Sequence, residues 1–172
     1  MKTKDKPMKT YAKLGFSHLE TKEIVENLNI LLANYHIHYQ KLRNFHWNVE
    51  GPDFFDLHQK FEEQYNEVKL NIDAVAERIR VFGKKPQSTL REYLETAGIE
   101  ETSSALTSRE MMQEVLYDFE KLISYMMDVI GSANRIGDTG TVDMVTKFIR
   151  RMEKKHWMYS SWLKQERVYE TA

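Results

Sequence analysis

The sequence contains no cysteine. That excludes disulfides, thiolate nucleophiles and cysteine-bound zinc or iron–sulfur centres. Chain breakers are also scarce, with 7 glycines and 3 prolines in 172 residues. No window approaches the roughly 18 consecutive apolar residues of a membrane-spanning helix. Neither sign of charge is in excess. Lys and Arg number 25 against 26 Asp and Glu, for a formal net charge of −1. A chain so balanced has no general attraction for polyanions. The first sixteen residues are basic but lack the apolar core of a secretory signal, so the expected location is cytoplasmic.

What the sequence does have is helical periodicity. Hydrophobic residues make up 41% and charged residues 30%, which reads as globular rather than disordered. The length favours one domain with its own core. Most of the few Gly and Pro residues cluster where breaks would fall, at Gly51-Pro52, Gly83 to Pro86, Gly98, and Gly137 with Gly140. Between them, apolar residues recur at three- and four-residue steps. Ile24 to Phe45 is one such run, Phe54 to Phe82 a second and Val115 to Ala133 a third. A looser fourth holds Val142, Val145, Ile149, Met152, Trp157, Tyr159 and Leu163. Thr107 with Glu110 and Thr89 with Glu92 are capping-box signatures for two helix starts. No run alternates like a strand. The expectation is an all-α four-helix bundle, with a short extra helix near residues 89–96 between the second and third long helices. Residues 1–15 are expected to form a basic, flexible tail, and residues 16–168 the bundle domain.

Six histidines and several carboxylates are candidates for chemistry. His58 and Glu62 are four apart and share a helical face, as do Asp73 and Glu77. Two like charges at that spacing repel by roughly 0.2–0.5 kcal/mol unless a cation lies between them. Taken alone, Asp73 and Glu77 read as a solvated acidic face, and His58 as a surface histidine. Taken together they suggest more. His58 and Asp73 are fifteen positions apart, about 22 Å along one helix, whereas metal–ligand bonds are about 2 Å long. One subunit cannot bring both to one ion. His46 closes the first helix a short turn before His58. Each chain therefore offers an imidazole end (His46, His58, Glu62) and a carboxylate end (Asp73, Glu77). The two ends can join only across a subunit interface, and a two-fold axis would generate two equal sites. The rival is a centre inside the bundle, which uses two Glu-x-x-His pairs on different helices. Only one is present, Glu153 with His156. His156 then reads as packed or surface, and His18, His36 and His38 as structural.

At this point the sequence resembles a known family. "NFHWN", a histidine twelve residues later in "DLHQKFEE", and "NIDAVAERI" are similar to the Dps family, the mini-ferritins that protect DNA in starved bacteria. The resemblance continues through "GKKPQSTLREYL" to "TVDMVTKFIRRMEKKHWMYSSWL", about 150 residues. It implies a ferritin-like bundle, a hollow shell of twelve identical subunits, and ferroxidase centres between two-fold-related subunits. His46 and His58 would come from one chain, and Asp73 and Glu77 from its partner. Glu62 stands where many members carry Asp and would supply an oxygen with a longer reach. Trp47 sits beside the site and is expected to pack rather than ligate. The substrate would be Fe(II), oxidised preferably with hydrogen peroxide and stored as Fe(III) mineral. Consuming both reagents protects DNA from oxidative damage. No organic cofactor is expected, and imidazole with carboxylate suits iron.

Two further features follow from the resemblance. Family shells admit iron through acidic three-fold pores lined early in the fourth long helix, where Asp138 and Asp143 fall; helix N-terminal acids favoured by the macrodipole are the other reading. Lys147, one turn beyond Asp143, departs from a purely acidic lining. Some members bind DNA through a lysine-rich N-terminal tail. Here Lys2, Lys4, Lys6, Lys9 and Lys13 stand against Asp5, a local formal charge of +4. Multivalent phosphate contact and simple solubilisation both remain open for that tail. A nucleoid-coating protein with an incidental metal site is the alternative function.

Overall fold

Five α-helices follow one another in the computed structural model, which describes residue 16 and residues 19–166, the last two by backbone alone. They are α1 Lys22–Asn48, α2 Phe54–Val81, α3 Leu90–Thr96, α4 Ser108–Arg135 and α5 Thr139–Glu166. No strand occurs among the described residues. The four long helices have 27 or 28 residues, about 40 Å each. α1 packs on α2, α3 and α4, and α4 packs on α5. This is the expected all-α four-helix bundle with a short helix in its middle connection.

Local chemistry fixes where the helices begin. Thr89 and Thr107 each accept the backbone N–H three residues on, while Glu92 and Glu110 reach back to the capping threonine's N–H. These reciprocal bonds satisfy donors that a helix start otherwise leaves orphaned. Gly51 (φ 98°) and Gly137 (φ 69°) occupy the left-handed region, where a Cβ is disfavoured. They let α1 turn into α2 and α4 into α5 within a few residues.

The middle connection is tied to α1 by three asparagines, of which Asn44 donates to the Thr102 carbonyl at 3.1 Å. Asn29 accepts the Gln87 N–H at 2.9 Å. The fully buried Asn34 accepts the N–H groups of Gly98 (3.0 Å) and Ile99 (2.8 Å), and donates to the Ile30 carbonyl (2.8 Å). Backbone that would otherwise be stranded near the core is thereby paired.

The core runs the length of the bundle. Leu28, Leu31, Leu32, Leu42, Val68, Ile79, Phe119, Leu122, Met126, Val129 and Val145 are buried, each contributing roughly 1.5–3 kcal/mol relative to exposure. One expected core residue is not there. Trp157 is 66% exposed, because it is five residues past Met152 and so well off the seam at about 100° per residue. The seam passes instead through Phe148, Met152 and Tyr159, all buried, and through Lys155. The Lys155 ammonium meets Gln64 Oε1 at 2.6 Å and Glu67 Oε2 at 2.5 Å. Among the described residues, no helix is long and apolar enough to cross a membrane.

Candidate metal centre

The end of α1 and the start of α2 form one small assembly. The Gly51 turn brings His58 back beside His46, with ring centroids 3.7 Å apart and planes inclined by 23°. The His46 Nδ1 lies 2.8 Å from the His58 carbonyl, and the His58 Nδ1 lies 2.8 Å from the His46 carbonyl. A carbonyl only accepts, so each Nδ1 carries the proton and donates. In the neutral rings this leaves both Nε2 atoms with free lone pairs. Phe54 stacks on His58 at 5.0 Å, and Tyr65 meets His46 edge-on at 5.4 Å. His46 is buried and His58 half-buried. Two rings with their Nδ1–H held on carbonyls are oriented as metal-binding imidazoles commonly are.

Glu62 lies one turn beyond His58 and is exposed. Its Oε1 accepts from the Tyr65 hydroxyl at 3.3 Å. Desolvation pushes the Tyr65 phenol above its ordinary value, and the charge of Glu62 adds to the effect. Trp47 is exposed beside this assembly, with the Arg43 guanidinium 4.7 Å from its ring centroid.

Asp73 and Glu77 lie further along α2. Both are exposed. The helix is unbroken from Phe54 to Val81, so the separation of about 22 Å from His58 stands. The structure thus brings His46, His58 and Glu62 to one end and leaves Asp73 and Glu77 at the other. Among the described residues of one protomer, no three His, Asp or Glu side chains converge to hold a metal ion.

The bundle interior has its own charges, which the apolar pattern did not reveal. Lys41 reaches Glu114 Oε2 (2.8 Å) and Asp118 Oδ1 (2.9 Å), and His38 Nδ1 meets Asp118 Oδ2 at 2.9 Å. His38 and Asp118 are fully buried. His38 is structural, as expected, but its carboxylate partner comes from α4, far away in sequence. The clue lay in phase: Lys41 and Lys155 occupy seam positions of otherwise apolar helices. Glu153 is exposed, and His156 lies on the surface 3.3 Å from Glu120. His36 stacks on Tyr93 at 3.9 Å. His18 lies outside the described residues.

Of the two acids expected at a pore, Asp138 is turned inward. It is 2% exposed. Its Oδ1 accepts the Thr141 N–H at 3.1 Å, which caps α5, and it pairs with Arg78 at 2.5 Å. Within the protomer, capping and the Arg78 charge therefore engage both of its carboxylate oxygens. Asp143 is exposed and pairs with Lys147 at 2.6 Å. The tail lysines Lys2, Lys4, Lys6 and Lys9 lie outside the described residues.

Known proteins carry the same plan. The family model for the ferritin-like domain matches residues 25–168. General stress protein 20U of Bacillus subtilis is 38% identical over 143 residues, 83% of this chain and 99% of that protein. DNA protection during starvation protein 2 of Bacillus anthracis is also 38% identical, covering 84% of this chain and 99% of its own length. The crystal structure of the Dps protein from Vibrio cholerae O1, a ferritin-like diiron-carboxylate protein, superposes with a TM-score of 0.84. It is 37% identical, and the match covers 87% of this chain and 94% of that one. Dps from Bacillus brevis gives a TM-score of 0.83 at 37% identity, over 86% and 99% of the two chains. With its helices, its connections and its sequence all in agreement, this chain belongs to the Dps family of ferritin-like proteins.

Proposed function

We propose that the protein is an iron-oxidising and iron-storing mini-ferritin. Fe(II) is its substrate, bound where the imidazole end of one subunit meets the carboxylate end of another. The observation that carries this reading is the reciprocal Nδ1–H to carbonyl pairing of His46 and His58, which leaves two oriented Nε2 lone pairs with no partner among the described residues. Asp73 and Glu77 add to it: they are exposed carboxylates one turn apart that repel each other, and among the described residues neither pairs with a cation.

The donor set suits the chemistry. Nitrogen and carboxylate oxygen bind iron, and so few protein ligands leave positions open for an oxidant. Hydrogen peroxide takes one electron from each of two Fe(II) ions and leaves as two hydroxides, so no hydroxyl radical is released. Fe(III) then collects as mineral within a shell of identical subunits, twelve by family resemblance. Exposed Phe55, Leu70, Leu90 and Leu94 supply apolar surface for such association. With Asp138 committed to capping, the acidic pore reading rests on Asp143. DNA would be protected chiefly by removal of Fe(II) and peroxide.

Stopped-flow oxidation of Fe(II), with peroxide and with oxygen, tests the site. Replacing both His46 and His58 with Ala should slow the fast phase at least 100-fold, since loss of outer partners alone typically costs about 10- to 100-fold. Unchanged rates would refute the assignment. DNA contact through Lys2, Lys4, Lys6 and Lys9 is a separate reading, supported by the tail's local charge. It predicts gel retardation that weakens steeply with salt and disappears when residues 1–13 are removed; no retardation at low salt would end it.

A further inference from the structure

Glu62 has one more rotatable bond than an aspartate at that place would have. It projects from an exposed turn of α2, and a free glutamate side chain gives up roughly 1.5–2 kcal/mol of rotamer freedom when it is fixed. Something must restrain such a ligand if it is to be held ready. The structure offers one group. The Tyr65 hydroxyl, one turn along the same face, donates to Glu62 Oε1 at 3.3 Å.

Tyr65 is itself well held. Its ring meets His46 edge-on, with centroids 5.4 Å apart and planes at 82°. It meets Tyr39 edge-on from α1, at 6.0 Å and 88°. Edge-to-face pairs of this kind contribute about 0.5–1.5 kcal/mol beyond their buried area. One residue therefore touches both chemical types at the imidazole end: its ring packs on a nitrogen donor and its hydroxyl holds the oxygen donor.

We propose that Tyr65 is a positioning residue that restrains Glu62 on the α2 face it shares with His58 before metal arrives. This rests on the ligand reading given above. The hydroxyl spends one lone pair of Oε1 and leaves Oε2 free to ligate. Tyr39, one shell further out, supports the Tyr65 ring without touching Glu62.

The test uses the full-length assembled apoprotein and Zn(II), which binds without redox chemistry, followed by calorimetry. Tyr65→Phe keeps the ring and removes the hydroxyl. It should weaken Zn(II) about two- to tenfold, the span expected for one hydrogen bond, and shift the visible absorption of a Co(II)-loaded sample. Tyr39→Phe should do neither. The decisive comparison is the double change. In a Glu62→Ala background, Tyr65→Phe should have no further effect on Zn(II) affinity. An undiminished effect there, or none in the native background, overturns the positioning role while leaving the ligand reading intact. Zn(II) binding indifferent to His58→Ala overturns the ligand reading and this inference with it.

Discussion

The two ends of α2 present opposite designs. At its start, His58 is stacked between Phe54 and His46, its Nδ1 is tied to a carbonyl, and Glu62 is restrained by Tyr65. Further along, Asp73 and Glu77 stand on an exposed face one turn apart. One end is internally bonded, though its three side chains do not converge on one point; the other is open. The difference teaches where organisation is worth having. Imidazoles bind through one atom and must be aimed, which burial and second hydrogen bonds accomplish. Carboxylates offer several lone pairs over a wide angle and tolerate exposure.

The largest expected effect asks whether the ends belong to one site. Shells of Asp73→Asn alone, and of His58→Ala alone, should be nearly inactive in Fe(II) oxidation. Mixed shells should recover activity. Random pairing makes half of the two-fold pairs mixed, and each mixed pair has one intact and one doubly damaged site, so roughly a quarter of the sites return. Mixed shells as dead as their parents would break the comparison by placing the ends in separate sites.

A smaller effect sharpens it. In metal-free protein, His46→Ala removes a buried ring that stacks on His58 and donates to its carbonyl. It should lower stability by about 0.5–3 kcal/mol. Asp73→Asn with Glu77→Gln relieves a repulsion and should raise stability by roughly 0.2–0.5 kcal/mol or leave it level. Chemical denaturation of the apoproteins measures both. Equal destabilisation would mean that the carboxylate end is also part of the folded framework.

The smallest effect concerns a histidine outside the site. Partial burial against Tyr93 holds the His36 imidazole below its ordinary value of about 6.5. Below that value the unfolded chain binds a proton that the folded chain resists. The stability that His36 contributes is thus present above about pH 6.5 and is lost as the pH falls through the window beneath it. His36→Gln should flatten the dependence of melting temperature on pH in that window; an unaltered slope would show that the stacked ring carries no such linkage.

Much of this was legible in the chain. The four periodic runs, the two capping boxes and the Gly51 and Gly137 breaks are local signals, and each became a helix, a helix start or a turn. Trp157 is hydrophobic but out of phase with the seam of α5, so its character alone points to the wrong face. Phase marks Lys41 and Lys155 but not whom they or His38 and Asp118 meet, since what makes a buried charge tolerable is a partner on another helix.

By itself the sequence determined the helices, and it set the fixed distance along α2 that keeps His58 and Asp73 apart, because an α-helix advances a set rise per residue. Only the tertiary structure decided that His46 and His58 would stack and trade hydrogen bonds with each other's carbonyls, and that Asp138 would turn inward to Arg78. Those outcomes depend on how separate helices meet, and contacts between elements distant in sequence leave no periodic trace in the chain that makes them.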